Sequence, residues 1–218
     1  MFDKIIWNLT GPEIERESFR RIETEVGERR RRFNDREWSV VRRLIHTTAD
    51  FAIAEMVVFR YDPIAAGLTA LRRGAPIYAD ANMIKAGLSV PKLQRFYPGY
   101  RRDSIHCGVA DPATEELAKS RNITRALAAL QLARPMLDGC IFLCGNAPLA
   151  LAGIVKLVIE EKIRPALIIG MPVGFVNVVE SKELLKEIDV PHLVVEGRRG
   201  GSPLAVASLH AMMENEPA

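Results

Sequence analysis

The sequence lacks several features that would commit it to common protein classes. Its three cysteines, Cys107, Cys140 and Cys144, are odd in number and form no Cys-x-x-Cys pair. We therefore interpret them as buried reduced thiols rather than as disulfide or metal ligands. No apolar run approaches the length required to span a bilayer. The 30 basic and 27 acidic residues leave a net charge of only +3, too small to create a global field that favours nucleic acid.

Motifs typical of several catalytic and nucleotide-binding classes are also missing. The chain has no Gly-x-Gly-x-x-Gly motif and no Walker loop, which disfavours binding of dinucleotides and nucleoside triphosphates. It contains neither a Gly-x-Ser-x-Gly nucleophile elbow nor a cluster with metal-ligand spacing. Residues Met1–Lys4 do not have the architecture of a signal peptide, so we expect a cytoplasmic protein.

The pattern of the 218 residues predicts one α/β domain over residues 1–218. The first sixty residues are charged and typical of helices, and short apolar strands alternate with helices from about Asp62. Such alternation favours a doubly wound, mainly parallel sheet flanked by helices, with a helical N-terminal segment. The predicted strands are Pro76–Ala79, Ile105–Val109, Cys140–Cys144, Ala166–Ile169 and Leu193–Val195. The predicted helices of this part are Ile64–Arg73, Ala113–Lys119, Thr124–Met136, Leu149–Glu161, Val176–Ile188 and Leu204–Met213.

A run of four arginines, Arg29–Arg32, allows two interpretations. It could form a patch that faces RNA or a membrane surface. The interpretation that we favour is a solvated helix face balanced by neighbouring glutamates, because the arginines are interspersed among acidic residues in this segment.

His46 is the candidate acid–base residue. It lies on a predicted amphipathic helix that begins near Asp35, well to one side of the apolar stripe and on the same side as Arg42 and Asp50. The stripe predicted to be buried consists of Trp38, Val41, Ile45, Thr48 and Ala52. Histidine is the side chain best suited to exchange protons near neutral pH. If Asp50 lies close to His46, its charge favours the imidazolium form.

Three glycine-bearing turns follow predicted strands, in segments 145–148, 170–175 and 196–203. Ligands of parallel sheets bind at the carboxyl ends of the strands, where backbone amides and helix N-termini suit an anion. Tight turning alone would explain any one of these turns, but three at the same edge favour an anion site. We expect Asn146 and Ser202 to cap the following helices. The candidate ligand-binding residues are Gly145, Asn146, Met171, Gly174, Arg198, Arg199, Gly200, Gly201 and Ser202.

Short motifs along nearly the whole chain point to one family by their order and spacing. They are Glu17–Phe19, His46–Asp50, Ala79–Met83 with Gly87, Asn122–Arg125, Gly145–Pro148, Gly170–Val176 with Glu180–Lys182, and Arg199–Ser202. With these motifs the chain resembles the precorrin-8X methylmutase (precorrin isomerase) family and its cobalt-precorrin-8 counterpart. The Thr-Thr-Ala-Asp sequence after His46 is closer to the cobalt-handling branch.

The resemblance implies an isomerase of cobalamin biosynthesis that moves a methyl group from C11 to C12 of the corrinoid ring, giving hydrogenobyrinate or cobyrinate. It also implies a homodimer without an organic cofactor or a catalytic metal. In such enzymes a histidine lies beside the migrating methyl group, and this residue corresponds to His46. The substrate-contacting serine corresponds to Ser18 and the pocket arginine to Arg125. Asp50 and Asp80 are taken as supporting residues, and the expected apolar walls are Met83, Met171, Val173 and Phe175.

One residue departs from the family pattern, and one other function class stays open. The family usually has threonine after Gly-Asn-Ala-Pro, but this chain has Leu149 there, so any role for that hydroxyl is lost. A non-catalytic corrinoid carrier could share the pocket and the basic rim. Only the enzyme would convert its ligand and depend on His46.

Overall fold

The structure, a computed structural model, describes residue 2 and residues 5–214. Met1, Asp3 and Lys4, which carry most of the expectation about a signal peptide, lie outside the described residues, as do residues 215–218. None of the helices in the described part combines the length and the apolar character that crossing a membrane requires.

A six-stranded sheet organises the chain, with the strand order β1-β6-β5-β4-β2-β3. All neighbouring strands are parallel except β1, which pairs with β6 in the antiparallel direction. The strands are β1 Val57–Arg60, β2 Ile77–Ala79, β3 Ile105–His106, β4 Ile141–Cys144, β5 Leu167–Gly170 and β6 His192–Val195. The predicted doubly wound α/β fold is therefore confirmed, and β2 to β6 lie where the apolar runs predicted strands.

Helices cover both faces of the sheet. In chain order they are α1 Gly11–Glu25, α2 Asp35–Thr48, α3 Ile53–Met56, α4 Pro63–Arg72, α5 Asn82–Gly87, α6 Val90–Gln94, α7 Pro112–Arg121, α8 Arg125–Ala133, α9 Pro148–Glu161, α10 Val178–Lys186 and α11 Ser202–Glu214. The predicted helices correspond to α4 and to α7 through α11. The two short helices α5 and α6 were not predicted.

The core lies on both faces of the sheet because successive strand residues point in opposite directions. In β4, Ile141 and Leu143 pack with residues of α2, α4 and α11, whereas Phe142 and Cys144 pack with residues of α8, α9 and α10. All three cysteines are buried and unpaired, as predicted. The sheet therefore separates two helix layers, and the carboxyl ends of the parallel strands define one of its edges.

The strand β1 was predicted as part of the helical N-terminal segment, and this prediction was wrong. Val57 pairs with Val195, and Arg60 with His192, so β1 forms an edge of the sheet. Its run Val-Val-Phe-Arg is rich in residues that favour strands. An apolar run as short as Val-Val-Phe has no periodicity that distinguishes a strand from a helix segment, and this ambiguity caused the error.

Helix α2 carries His46 as predicted, but it ends earlier than the predicted stripe requires. Its last residue is Thr48, and Ala49 follows in the left-handed conformation with φ of 53°. Thr48 is exposed rather than buried, and Asp50 and Ala52 lie beyond the helix. The helical face predicted for Asp50 therefore does not exist.

The arginine run lies in a 3-10 helix, Gly27–Arg32, and three of its guanidinium groups have carboxylate partners. These pairs are Arg29–Glu55, Arg30–Asp35 and Arg31–Glu28. The pairing supports the interpretation of a solvated face whose charge is balanced by acidic residues.

Candidate active site

Ser18 on α1 and His46 on α2 form the centre of the candidate site. The Ser18 hydroxyl and His46 Nδ1 share a hydrogen bond of 2.7 Å. Both residues are half-buried. Within the described residues the Nε2 atom of His46 has no hydrogen-bond partner. Nε2 is therefore the ring nitrogen that remains available to a ligand, while Ser18 fixes the orientation of the imidazole.

Phe19, the neighbour of Ser18, holds α1 against α2 at this point. Its ring meets the His46 ring edge-on, with the centroids 5.4 Å apart. The guanidinium groups of Arg42 and Arg43 lie over the Phe19 ring at 4.4 and 4.6 Å. Arg43 also donates to the Glu15 carboxylate at 2.5 Å. Cation–π contacts and an ion pair thus set the relative position of the two helices that carry the Ser–His pair.

A cavity of about 190 Å³ opens beside the Ser–His pair. Its lining residues are Ser18, Arg21, Ile22, Glu25, Ile45, His46, Ala49 and Phe51. Pockets that enclose a drug-sized ligand measure roughly 300–1,000 Å³. This cavity therefore encloses only part of any ligand of that size or larger, and the remaining walls must come from elsewhere.

A larger cavity of about 490 Å³ lies between α7, α8 and α9. Its lining contains arginine, lysine, glutamate and leucine side chains but no histidine, serine or cysteine. One of its arginines, Arg134, is already paired with Glu161. We therefore place the chemistry at the smaller cavity, where a histidine and a hydroxyl are in contact.

Asp50 contacts Arg199 rather than His46. Its carboxylate accepts from the Arg199 guanidinium and, at 2.9 Å, from the amide of Ala52. No hydrogen bond or ion pair joins Asp50 to His46 in the described part of the chain. The prediction that Asp50 supports the His46 imidazole was therefore wrong, because α2 ends before Asp50. The contact has another consequence: it joins the end of α2 to the turn after β6, at the carboxyl edge of the sheet.

Asp80 follows β2 and occupies the turn after β4. Its carboxylate is buried, with 2% of the residue exposed. It accepts from the amides of Gly145, Asn146 and Ala147 at 2.9, 2.8 and 2.6 Å, and from the Cys144 thiol at 3.3 Å. These amides of the turn before α9 do form an anion site, as such turns favour. The anion is the protein's own carboxylate, so these donors are not available to a substrate.

The predicted caps of α9 and α11 were wrong by one residue each. Ala147, not Asn146, precedes α9, and Pro148 takes its first position. The Asn146 side chain is exposed. α11 begins at Ser202, and the carbonyl of Gly201 accepts the first helical hydrogen bonds. Asp80, at the end of a neighbouring strand, satisfies the three amides that precede α9.

The three glycine turns lie at one edge of the sheet, as predicted, and they pack directly against one another. A Cβ on Gly145 would lie 2.6 Å from Cα of Ser202. A Cβ on Gly200 would overlap the carbonyl oxygen of Met171. The amide of Gly201 donates to that same oxygen at 2.7 Å. Only glycine permits this approach, so the turns form one packed rim.

An exposed apolar surface borders this rim. Phe175 is 83% exposed, and the Arg198 guanidinium lies 5.2 Å from its ring centroid. The amide of Gly174 donates to the carbonyl of Arg198 at 3.2 Å, which joins the two turns. Of the predicted apolar walls, three are exposed: Met83, Val173 and Phe175. Met171 is fully buried in the core, so its side chain cannot contact a substrate and that assignment is corrected.

Arg125 lies apart from the Ser–His pair. It is the first residue of α8 and is exposed. Because α8 packs on the face of the sheet opposite α2, a single chain does not bring Arg125 to His46. No hydrogen bond or ion pair joins Arg125 to Ser18 or His46 among residues 5–214.

Lys182 is a rim residue to which the sequence analysis gave no role. It is 1% exposed and lies on α10, between the buried positions Val178 and Leu185. A local signal for it exists: the spacing i, i+4, i+7 places this lysine on the buried stripe of its helix. A lysine on such a stripe requires polar partners inside the fold.

Comparisons with known proteins agree on one family. The sequence model of the precorrin-8X methylmutase family matches residues 13–215. The chain is 40% identical to a cobalt-precorrin-8 methylmutase of Methanocaldococcus jannaschii, over 88% of this chain and 86% of that protein. It is 41% identical to a protein of the same name from Leptospira interrogans, over 95% and 94%. A solved structure of precorrin-8x methyl mutase from Thermus thermophilus superposes with a TM-score of 0.82 at 44% identity, covering 94% of this chain and 95% of that chain.

Proposed function

Because the chain belongs to the precorrin-8X methylmutase family, we propose that it moves a methyl group from C11 to C12 of precorrin-8. Membership of this family makes it an isomerase of cobalamin biosynthesis. The single observation that supports the proposed site is the 2.7 Å contact between Ser18 and His46 beside a cavity. The names of the relatives, cobalt-precorrin-8 methylmutase, favour the cobalt-containing substrate.

His46 acts as the general acid and base of the proposed reaction. Its Nε2 atom donates a proton to the conjugated ring near C11. This polarises the ring and lowers the barrier to migration of the methyl group. The proton returns to Nε2 once the methyl group is bound to C12, so the isomerisation balances without net redox change. A positioned general acid contributes about 10²–10⁴-fold to a rate. The hydrogen bond to Ser18 keeps the ring in the orientation that this exchange requires.

The basic rim binds the carboxylates of the substrate. Arg198 and Arg199 are exposed at the turn after β6, and arginine forms strong bonds with carboxylates. When substrate binds, Arg199 releases the Asp50 carboxylate and pairs with a substrate carboxylate instead. Because Asp50 follows the helix that carries His46, this exchange links substrate binding to that helix. The exposed ring of Phe175 supplies a flat apolar surface for the macrocycle.

A homodimer completes the proposed site. The cavity of about 190 Å³ is too small for a macrocycle, and Arg125 lies on the other face of the sheet. A second copy that covers the exposed Phe175 and Val176 would add the missing wall and bury apolar surface. Light scattering of the purified protein is expected to give twice the chain mass of 24.3 kDa. A monomer mass that persists in the presence of substrate would contradict the shared site.

The proposed activity is tested with cobalt-precorrin-8 and metal-free precorrin-8 as substrates. Moving the methyl group changes the conjugation of the macrocycle, so conversion is followed by visible absorption and confirmed by mass spectrometry as an isomer of unchanged mass. We expect turnover of both rings and a higher kcat/KM for the cobalt form. If a folded protein converts neither the cobalt-containing nor the metal-free substrate, the proposed function is rejected.

A further inference from the structure

The ammonium group of Lys182 is buried at the rim, where its hydrogen-bond partners in the described part of the chain are backbone carbonyls. Its Nζ donates to the carbonyl oxygens of Gly197 at 2.8 Å and of Arg199 at 2.7 Å. Within the described residues it forms no ion pair with a carboxylate. A charge placed inside the fold without a counter-ion disfavours the folded state, because it loses its hydration shell. Burial accordingly lowers the pKa of Lys182 to about 8.

The two carbonyl groups belong to the turn that carries both rim arginines. Gly197 adopts a left-handed conformation with φ of 68°, which turns its carbonyl inward. Lys182 therefore binds the backbone of this turn at two carbonyls, one immediately before Arg198 and one at Arg199. The carbonyl of Arg198 itself accepts from Gly174, so three successive residues of the turn have fixed carbonyls.

We propose that Lys182 is a positioning residue, whose ammonium group clamps the turn after β6 and so holds Arg198 and Arg199 in place for the substrate carboxylates. This inference rests on the proposed function for the identity of the ligand, but the contacts that form the clamp exist in the protein without a ligand. It assigns to a residue outside the Ser–His pair a role in binding rather than in the chemical step. Loss of the clamp is therefore expected to raise KM and to change kcat much less.

The test compares Lys182→Met with Lys186→Met in the full chain. Lys186 lies one turn further along α10 and also contacts the turn, through an ion pair of 2.6 Å with Glu196. We expect Lys182→Met to raise KM for cobalt-precorrin-8 by about 10–100-fold, the effect of losing hydrogen bonds to a charged group, with a much smaller change in kcat. Lys186→Met is expected to change KM by less than about fivefold, because the ion pair with Glu196 remains partly accessible to water, and such pairs contribute little.

A second measurement on ligand-free protein tests the clamp directly. In Lys182→Met, the amides of Gly174 and Gly201 should exchange hydrogen faster than in the wild type, and in Lys186→Met they should not. If Lys182→Met does not fold by circular dichroism, Lys182→Gln replaces it, since glutamine is neutral and still donates to one carbonyl. Unchanged KM together with unchanged exchange in a folded variant overturns the proposal. A wild-type protein without turnover contradicts the proposed function instead, and the exchange data then decide the clamp alone.

Discussion

Replacing His46 with alanine is expected to lower kcat for methyl migration by about 10²–10⁴-fold, because the change removes the only proton donor and acceptor that we place at the reacting ring. The fold should survive. His46 is half-buried, and the one side-chain hydrogen bond that it forms among the described residues is to Ser18 on α1. The measurement is the rate at which the visible spectrum of the product develops at saturating substrate, with circular dichroism as the check on folding.

Thr47→Ala is the matched control for this variant. Thr47 is the next residue of α2, is exposed, and donates its hydroxyl to the carbonyl of Arg43 in its own helix. Its loss should leave kcat unchanged within experimental scatter. Equal turnover in His46→Ala and wild type would remove the acid–base role from His46. Tight corrinoid binding by a wild type that shows no turnover would favour a carrier protein over an enzyme.

Replacing Asp80 is expected to cause the largest loss of stability among these variants. In Asp80→Ala, three backbone amides and one thiol lose a buried acceptor at once. Buried donors without a partner cost about 1–3 kcal/mol each, so the free energy of unfolding should fall by at least about 3 kcal/mol. Urea unfolding followed by circular dichroism measures this difference. Asp80→Asn should lose less, because one acceptor oxygen of the same shape remains.

Asp189→Ala provides the comparison with an exposed aspartate. Asp189 pairs with Arg164 at the surface, and water can replace the carboxylate there. We expect a far smaller change in the urea midpoint than for Asp80→Ala. If Asp80→Ala unfolds at the wild-type midpoint, the carboxylate is not the anchor of the turn. The amides of this turn would then be open to a ligand, as the sequence first suggested.

The sheet could be predicted wherever an apolar run is bounded by turn-forming residues. β4 is an uninterrupted run, Ile141–Cys144, that ends at Gly145, and this combination predicted both the strand and the turn. β1 could not be identified in the same way. It follows a short helix directly, and the antiparallel partner that makes it a strand lies more than a hundred residues later, in β6. Pairing over such a distance has no local signal.

Individual residues of the candidate site could be predicted from the sequence, but the contacts between them could not. The position of His46 beside an apolar stripe marked it as a functional histidine, yet its partner Ser18 is 28 residues away and came only from the family resemblance. Asp80 lies 65 residues before Gly145, so the sequence assigned the amides of that turn to a substrate. Lys182 was different: its position on the buried stripe of α10 was readable, and only its carbonyl partners required the fold.

The attachment of α1 has a consequence for how the enzyme fails. This helix has one buried residue, Ile22, and it is held to α2 mainly by Phe19 and charged contacts. The hydroxyl that aligns the imidazole is thus carried by a lightly anchored segment, while the rim belongs to the rigid sheet. On the proposed mechanism, heat or high salt that releases this outer helix is therefore expected to abolish activity before the central sheet unfolds.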